Sequence, residues 1–253
     1  MESVERIARQ KTFWNEKAKT FPRYEEGDET YEAGVLDLVR GHGVDIRGKT
    51  VLDVGCGSGM YTIRLAKEAA RVTAVDISET MLAILREDAE KLGVDNIDYV
   101  LSDWMDFESD AVFDVVFCSM TPAIESEESK LKLLGHARGA TIFMGFAGVM
   151  RSDVLAGLYE HYGVTPKIFN NGPEMRGWLD DKGIAHAAYP VEGQWVVAKS
   201  REELMDSCSS MLIPYSVTPD QDHLRQYVEQ FREGPDKYVE RTDYKIELII
   251  WES

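Results

Sequence analysis

The strongest chemical signal in this sequence is the run Val51-Leu52-Asp53-Val54-Gly55-Cys56-Gly57-Ser58-Gly59, a short apolar stretch that ends in a glycine-rich turn. Glycines at 55, 57 and 59 have no Cβ to hold a ligand away from the backbone, and they accept the positive φ that a tight turn asks for. The stretch reads as a strand and the residues after Gly59 as a helix, so the first free N–H groups of that helix face whatever sits at the turn. The next β-rich run, Val72-Thr73-Ala74-Val75-Asp76, ends in a carboxylate. An acidic residue at the second strand end pairs with the two hydroxyls of a ribose. Together the two runs describe a site for a ribose-containing ligand.

Two ligand classes meet that description. A dinucleotide site wants the GxGxxG spacing, whereas here Gly59 is followed by Met60 and Tyr61, and the Asp53 carboxylate ahead of the turn would repel a pyrophosphate. S-adenosylmethionine carries a cationic sulfonium and an amino acid tail and no pyrophosphate, so Asp53 is compatible with it. Nicotinamide-dependent oxidoreduction is the alternative that these residues disfavour.

The elements that must hold these residues can be read from the pattern around them. From Thr50 to about Phe146, β-rich runs alternate with helical stretches, the signature of a parallel sheet covered by helices. Strands are predicted at Thr50–Val54, Val72–Asp76, Ile97–Leu101, Val112–Cys118 and Ala140–Gly145, and helices at Met60–Ala70, Glu79–Leu92 and Glu125–Ala137. Ser78 and Ser126 read as N-caps, and Gly93 and Gly139 as helix stops. Ahead of the core, helices are expected over Val4–Lys19 and Glu29–Arg40. Beyond it, helices are expected near Ser152–Tyr162, Glu174–Lys182, Arg201–Met211 and Gln221–Arg232, with strands near Ala185–Pro190 and at Tyr244–Trp251. The fold class is α/β: a Rossmann-like, doubly wound, mostly parallel sheet with helices on both faces. The expected domains are an N-terminal helical cover (1–45), the core (46–186), a C-terminal helical cap insertion (187–240) and a terminal strand returning to the core sheet (241–253).

The chain has 253 residues, 44% of them apolar and 10% aromatic, which suits one α/β domain with a small appended part. Its net charge of −17 speaks against a nucleic-acid partner, since phosphate contacts draw on clustered Lys and Arg. No apolar run approaches the roughly 20 residues of a bilayer crossing and the first residues are charged, so the expected setting is cytoplasmic, with no membrane partner. Three cysteines, Cys56, Cys118 and Cys208, lie far apart with no Cys/His cluster, so no metal site is expected. The sequence does not fix the oligomeric state; a homodimer is one form it allows.

Residues 45–150 resemble the class I S-adenosylmethionine-dependent methyltransferases, with several motifs in order. The resemblance implies that Asp53, Gly55, Cys56, Gly57 and Gly59 hold the methionine part of the cofactor, that Asp76 holds its ribose, and that Ile77 and Met81 line the adenine pocket. Ser102-Asp103-Trp104 resembles the adenine-recognising element: Asp103 for the exocyclic amine, Trp104 as its apolar neighbour. Phe113 to Met120 resembles the strand whose end faces the sulfonium, implicating Cys118 and Ser119. The loop Ser119-Met120-Thr121-Pro122 departs at two places from the motif of enzymes that methylate bases or glutamine amides, which disfavours that chemistry, and the stretch from Ala187 to Val239 resembles the helical cap of small-molecule methyltransferases, which implies a small-molecule acceptor.

Methyl transfer is an in-line displacement that positioning and desolvation can accelerate without a general base. If a base is needed, His136, His161, Tyr159, His186, His223 and Tyr215 are the candidates. Tyr24, Tyr31, Met120, Thr121, Trp195 and Tyr215, with Trp14, are the candidates for the acceptor pocket, which should lie outside the carboxyl ends of the strands. Two other functions compatible with the motifs are a non-catalytic S-adenosylmethionine-binding protein and a methyltransferase of a metalloid such as arsenite, which would gather several thiolates around a soft centre.

Overall fold

The structure, a computed structural model, describes residues 2–252, with side chains from Glu5 onward. In chain order the elements are α1 (Glu2–Ala18), α2 (Tyr31–Gly41), β1 (Thr50–Val54), α3 (Thr62–Ala66), β2 (Arg71–Asp76), α4 (Glu79–Lys91), β3 (Ile97–Leu101), β4 (Phe113–Ser119), α5 (Glu127–His136) and β5 (Ala137–Phe146). They continue with β6 (Arg151–Ser152), α6 (Asp153–His161), α7 (Asn171–Asp181), β7 (His186–Lys199), α8 (Arg201–Leu212), α9 (Gln221–Tyr227), β8 (Arg232–Gly234) and β9 (Lys237–Glu252). The described chain divides into two compact units. The first holds the residues up to Gly145, Met175–Ala188 and those from Leu248; the second holds Phe146–Glu174 and Tyr189–Glu247.

In the first unit the strand order β3-β2-β1-β4-β5 is parallel throughout, and β9 follows β5. β1 is central: Val51, Leu52 and Val54 are wholly buried, as befits a strand covered on both faces. Its pairing with β2 sets Asp53 beside Ala74, and its pairing with β4 sets Asp53 beside Phe117. One core joins Leu52, Val116, Phe143, Leu133, Leu179 and Trp251. The fold is therefore the mostly parallel, helix-flanked sheet that the alternating pattern predicts.

The caps predicted at Ser78 and Ser126 are present: each side chain accepts an N–H three residues on, from Met81 and Ser129. Gly93, at φ +68°, follows α4 as a helix stop. Gly139 is a correction, since α5 already ends at His136 and Gly139 lies inside β5, where a Cβ would come 2.4 Å from the Asp114 carbonyl oxygen. That close approach of two strands, and no helix end, is why a glycine stands there. The helix predicted at Met60–Ala70 is shorter, because residues 59–61 complete the turn before α3 begins.

The second unit carries the helices expected over 187–240 as α8 and α9, together with strands. Residues up to Lys199 continue β7 as a long strand paired with β9, and β6 and β8 pair antiparallel with β9 at Asp243 and Tyr238. Only α8 and α9 of that stretch are α-helical, so the segment is a mixed sheet and helix layer. Its core collects Val154, Leu158, Leu204, Cys208, Leu224 and Tyr238. The terminal strand predicted at Tyr244–Trp251 begins at Lys237.

Candidate functional site

A cavity of about 290 Å³ opens in the first unit at the carboxyl ends of β1, β2 and β4, with every wall residue drawn from that unit. Its floor is the glycine turn. Gly55 N–H and Cys56 N–H both donate to the Val75 carbonyl, at 2.8 and 3.1 Å, so the turn folds back on β2. Gly55, Gly57 and Gly59 all take positive φ, at 71°, 55° and 87°.

Asp76, at the end of β2, is 9% exposed. Its Oδ2 accepts the Gly57 N–H at 2.8 Å and its Oδ1 accepts the Ser78 N–H at 2.8 Å. Burial pushes this carboxyl above its ordinary value, while backbone hydrogen bonds from Ser78, Gly57 and Ile77 pull the other way. Each carboxylate oxygen keeps a further lone pair for a ligand hydroxyl. Asp53 is buried more deeply; burial pushes its carboxyl up to about 7, opposed by the Thr62 hydroxyl that donates to its Oδ2 at 2.6 Å and reinforced by the charge of Asp76. Cys56 lines the same floor, its thiol held well above its usual range by burial and by the Asp76 and Asp53 carboxylates.

Ile77, Met81, Asp103 and Trp104 line the wall beyond Asp76. Asp103 Oδ1 accepts the Met105 N–H at 2.9 Å, which fixes the carboxylate at the head of its turn. Trp104 is both wall and core: its indole N–H donates to the Ser129 carbonyl at 3.1 Å, and its ring lies 5.6 Å from that of Phe107. Ser119, Met120 and Thr121 form the opposite wall. Among the described residues Met120 is one of two non-glycine residues at positive φ, 50°, and its N–H donates to the Met144 carbonyl at 2.8 Å. Thr121 presses on the glycine turn, where a Cβ on Gly55 would lie 2.2 Å from Thr121 Oγ1.

The N-terminal cover also has a concrete form. Arg6, Gln10 and Trp14 share one face of α1 and line the cavity. Asn15 Oδ1 accepts hydrogen bonds from the Ser78 hydroxyl at 2.7 Å and from the Thr80 N–H at 3.3 Å, and Ser58 Oγ donates to the Pro22 carbonyl at 2.6 Å. Phe21 completes this side, 3.8 Å from where a Gly57 Cβ would stand.

Several expected site residues lie elsewhere. Cys118 is wholly buried in the core with Leu52 and Val54, because the alternation of β4 turns Phe117 and Ser119 toward the cavity and Cys118 away. Gly59 is absent from the wall; it lets the turn pack on α4, since a Cβ there would meet Leu85 Cδ1 at 2.1 Å. The Tyr24 ring is covered by Arg64 and Lys67, each 5.1 Å from its centroid, outside the wall. Tyr31 opens α2 and is likewise outside it. Trp195 stacks on Tyr244 at 4.5 Å, and the Tyr215 hydroxyl accepts the Lys167 N–H at 2.8 Å, both inside the second unit.

The candidate bases are outside the wall as well. His136 packs on Trp104 and Phe107 with Nδ1 3.3 Å from the Ala111 carbonyl, and His186 stands 3.0 Å from the Ile184 carbonyl. His161 and His223 stack on each other at 4.0 Å, and Tyr159 faces Tyr215 at 5.8 Å. The wall residues that the sequence did not single out are Arg6, Gln10, Phe21, Ser58, Tyr61, Met105, Phe117 and Glu125, among others. Strand alternation marks Phe117; the rest depend on how helices and loops pack. A three-thiol metalloid centre has no support: Cys118 and Cys208 are each fully buried in hydrophobic cores, and the described residues contain no cluster of three His, Cys, Asp or Glu placed to hold a metal. Among them, too, no helix is long and apolar enough to cross a membrane.

Residues 51–139 match the methyltransferase domain family. The chain is 40% identical over 110 residues to the cypemycin N-terminal methyltransferase of Streptomyces sp., covering 42% of this chain and 43% of that protein. It is 35% identical over 129 residues to the ribosomal protein L11 methyltransferase of Aeromonas hydrophila, covering 50% of this chain and 43% of that one. With the ubiquinone biosynthesis O-methyltransferase of Coxiella burnetii it shares 41% over 76 residues, 30% of this chain and 32% of that one. The chain thus spans less than half the length of these curated relatives. In structure it is similar to magnesium protoporphyrin IX methyltransferase from Synechocystis PCC 6803 with bound SAH, with a TM-score of 0.55 at 18% identity over 98% of this chain and 99% of that one. The same enzyme with bound SAM gives a TM-score of 0.53 at 18% identity, covering 98% of this chain and 97% of that one. Residues 51–139 are thus similar to the methyltransferase domain family, and the fold is the one shared with the magnesium protoporphyrin IX methyltransferase structures.

Proposed function

We propose that the cavity binds S-adenosylmethionine and that the chain transfers its methyl group to a small-molecule acceptor by in-line displacement. The observation that carries this reading is the glycine turn held by the Asp76 carboxylate at the mouth of β1 and β2. The charge of the wall supports it. Asp53, Asp76, Asp103 and Glu125 stand there against Arg6 as the lone Lys or Arg among the described wall residues, an environment suited to a cation and hostile to a pyrophosphate.

S-adenosylmethionine supplies a methyl carbon already activated by positive sulfur. The chain's own residues then bind, orient and exclude water. In this reading Asp76 takes the ribose hydroxyls, Ile77, Met81 and Trp104 flank the adenine, Asp103 accepts from its amino group, and Gly55, Cys56 and Gly57 receive the amino acid tail. α1, with Trp14 and Phe21, is placed to shield the reacting centre from solvent. No histidine lines the described wall, which favours an acceptor that reaches the site already nucleophilic.

The test is incubation with S-adenosylmethionine labelled in its methyl group and an acceptor panel of amines, phenols, carboxylic acids and short peptides. Label in a small-molecule product supports the proposal. Bound cofactor with no labelled product from any acceptor class would favour the non-catalytic alternative instead.

A further inference from the structure

Asn15 follows the wall residue Trp14 on α1 and is itself absent from the cavity wall. Its Oδ1 accepts the Ser78 hydroxyl at 2.7 Å and the Thr80 N–H at 3.3 Å, and its Nδ2 donates to Glu79 Oε1 at 3.5 Å. One side chain of α1 thus meets the start of α4. The other polar tie between these two helices among the described residues is Lys11 to Glu79 at 3.8 Å, an ion pair of exposed side chains that is worth little. Ser78 is wholly buried and bonds in three directions. Its hydroxyl donates to Asn15, the same oxygen accepts the Met81 N–H at 3.1 Å, and its own N–H donates to Asp76 Oδ1 at 2.8 Å. Two hydrogen bonds through one buried residue therefore join Asn15 on the cover to the carboxylate at the end of β2.

Resting on the S-adenosylmethionine reading above, we propose that Asn15 is a positioning residue. It seats α1 on α4, so that the wall carried by Arg6, Gln10 and Trp14 is set by the same Asp76 carboxylate that takes the ribose. Those three residues share the face of α1 toward the cavity, whereas Asn15 is rotated from them onto α4. A ligand touches them only while α1 is seated, so it binds the seated arrangement better than one in which α1 has lifted. The linkage is reciprocal: what weakens the seating of α1 weakens the ligand, and an occupied ribose site, by fixing Asp76 and through it Ser78, holds α1 in place. The segment after α1 has separate anchors, from Ser58 to the Pro22 carbonyl at 2.6 Å and from Arg23 to Asp88 and Glu87 at 3.0 Å each. Loss of the Asn15 contacts therefore loosens α1 without releasing the rest of the cover.

The experiment pairs calorimetric titration with S-adenosylhomocysteine and acrylamide quenching of tryptophan fluorescence, in the wild type, Asn15→Leu and Asn15→Asp. Leucine keeps the size of the side chain and removes the acceptor; aspartate keeps an acceptor oxygen for Ser78 and Thr80. A Trp14→Phe protein measured alongside identifies the part of the signal that belongs to Trp14. The expected result is a loss of about tenfold in affinity in Asn15→Leu, recovered to within about twofold of wild type in Asn15→Asp. With it goes a shielding of Trp14 by the ligand that is present in the wild type and lost in Asn15→Leu. A merely structural role would lower Tm and move neither readout. Shielding absent from the wild type or surviving in Asn15→Leu, an affinity unchanged in that variant, or equal losses in both variants would each overturn the proposal while leaving the cofactor reading intact. Failure of the wild type to bind S-adenosylhomocysteine would instead sink that reading and the proposal with it. Should Asn15→Leu not fold, Ser78→Ala decides the matter, since it keeps the N–H on Asp76 and removes the hydroxyl from Asn15: loss of Trp14 shielding supports the proposal and its retention overturns it.

Discussion

The Asp76 carboxylate and the Gly57 N–H, residues from two different strand ends, are joined by a hydrogen bond of 2.8 Å. The residue at the end of β2 thus shapes the turn after β1. The same carboxylate holds the Ser78 N–H, and Ser78 in turn caps α4, so one side chain sets the turn, the strand end and the helix start. A ligand contacting Asp76 meets a group that is already oriented, which lowers the entropy lost on binding.

Asp76→Asn should therefore act on the loop and on the ligand together. One amide oxygen can still accept a backbone N–H, but the NH₂ faces a second donor. Affinity for S-adenosylhomocysteine is expected to fall by on the order of 1–3 kcal/mol, the scale of a lost charged hydrogen bond. Titration of the folded variant checks this; an unchanged dissociation constant would remove Asp76 from the site.

Gly59→Ala is expected to cost about 1–3 kcal/mol of stability, since the new methyl meets Leu85 at 2.1 Å and the backbone has φ +87°. Leu85→Ala in the same chain should recover the steric part of that loss and none of the backbone part. Urea unfolding of the two single variants and the double variant measures the coupling. Additive losses would show that the crowding at Leu85 is not the cause.

The titration of Asp53 should be visible in stability. Its folded-state carboxyl titrates at about 7, against about 3.9 in an unfolded chain. Between those values the folded protein holds the extra proton, so the contribution of Asp53 is greatest below pH 4 and is lost as pH rises to 7. Asp53→Asn should flatten that part of the stability curve. The cationic cofactor prefers the ionised form, so affinity for S-adenosylmethionine is expected to rise as pH increases through 7. A curve unchanged by the substitution would exclude Asp53 as the source.

Asp114 ties the start of β1 to β4 and β5. Its Oδ2 accepts from the Thr50 N–H and hydroxyl at 2.8 and 2.9 Å, and its Oδ1 from Arg138 at 2.9 Å. Those donors hold its carboxyl well below the usual carboxylate range. Asp114→Ala should lower stability by about 1–2 kcal/mol without changing cofactor affinity. Denaturation paired with titration separates the two effects.

How much was legible in the sequence depends on the range of the forces involved. The glycine turn, Asp76 and the parallel core were readable because each is local: strand runs, turn glycines and caps within a few residues. The assignment of Cys118 and Phe117 needed only the alternation of β4. Trp14 was readable as a candidate on the N-terminal helix, but Tyr61, Arg6 and Gln10 were not, since their place depends on tertiary packing. Gly139 misled for the same reason. Its cause is the Asp114 carbonyl on the neighbouring strand, a contact between residues 25 apart. The long β7 was hidden because its exposed residues carry no core-facing pattern; Val196 is 59% and Val197 45% exposed.

The measurement that tests the central claim most directly is calorimetric titration of the purified protein with S-adenosylhomocysteine, with a reduced nicotinamide dinucleotide as the control ligand and Asp76→Asn as the control protein. The account predicts one-site binding of S-adenosylhomocysteine, weakened in the variant, and no heat from the dinucleotide. Binding of the dinucleotide alone, or of neither ligand, would contradict it.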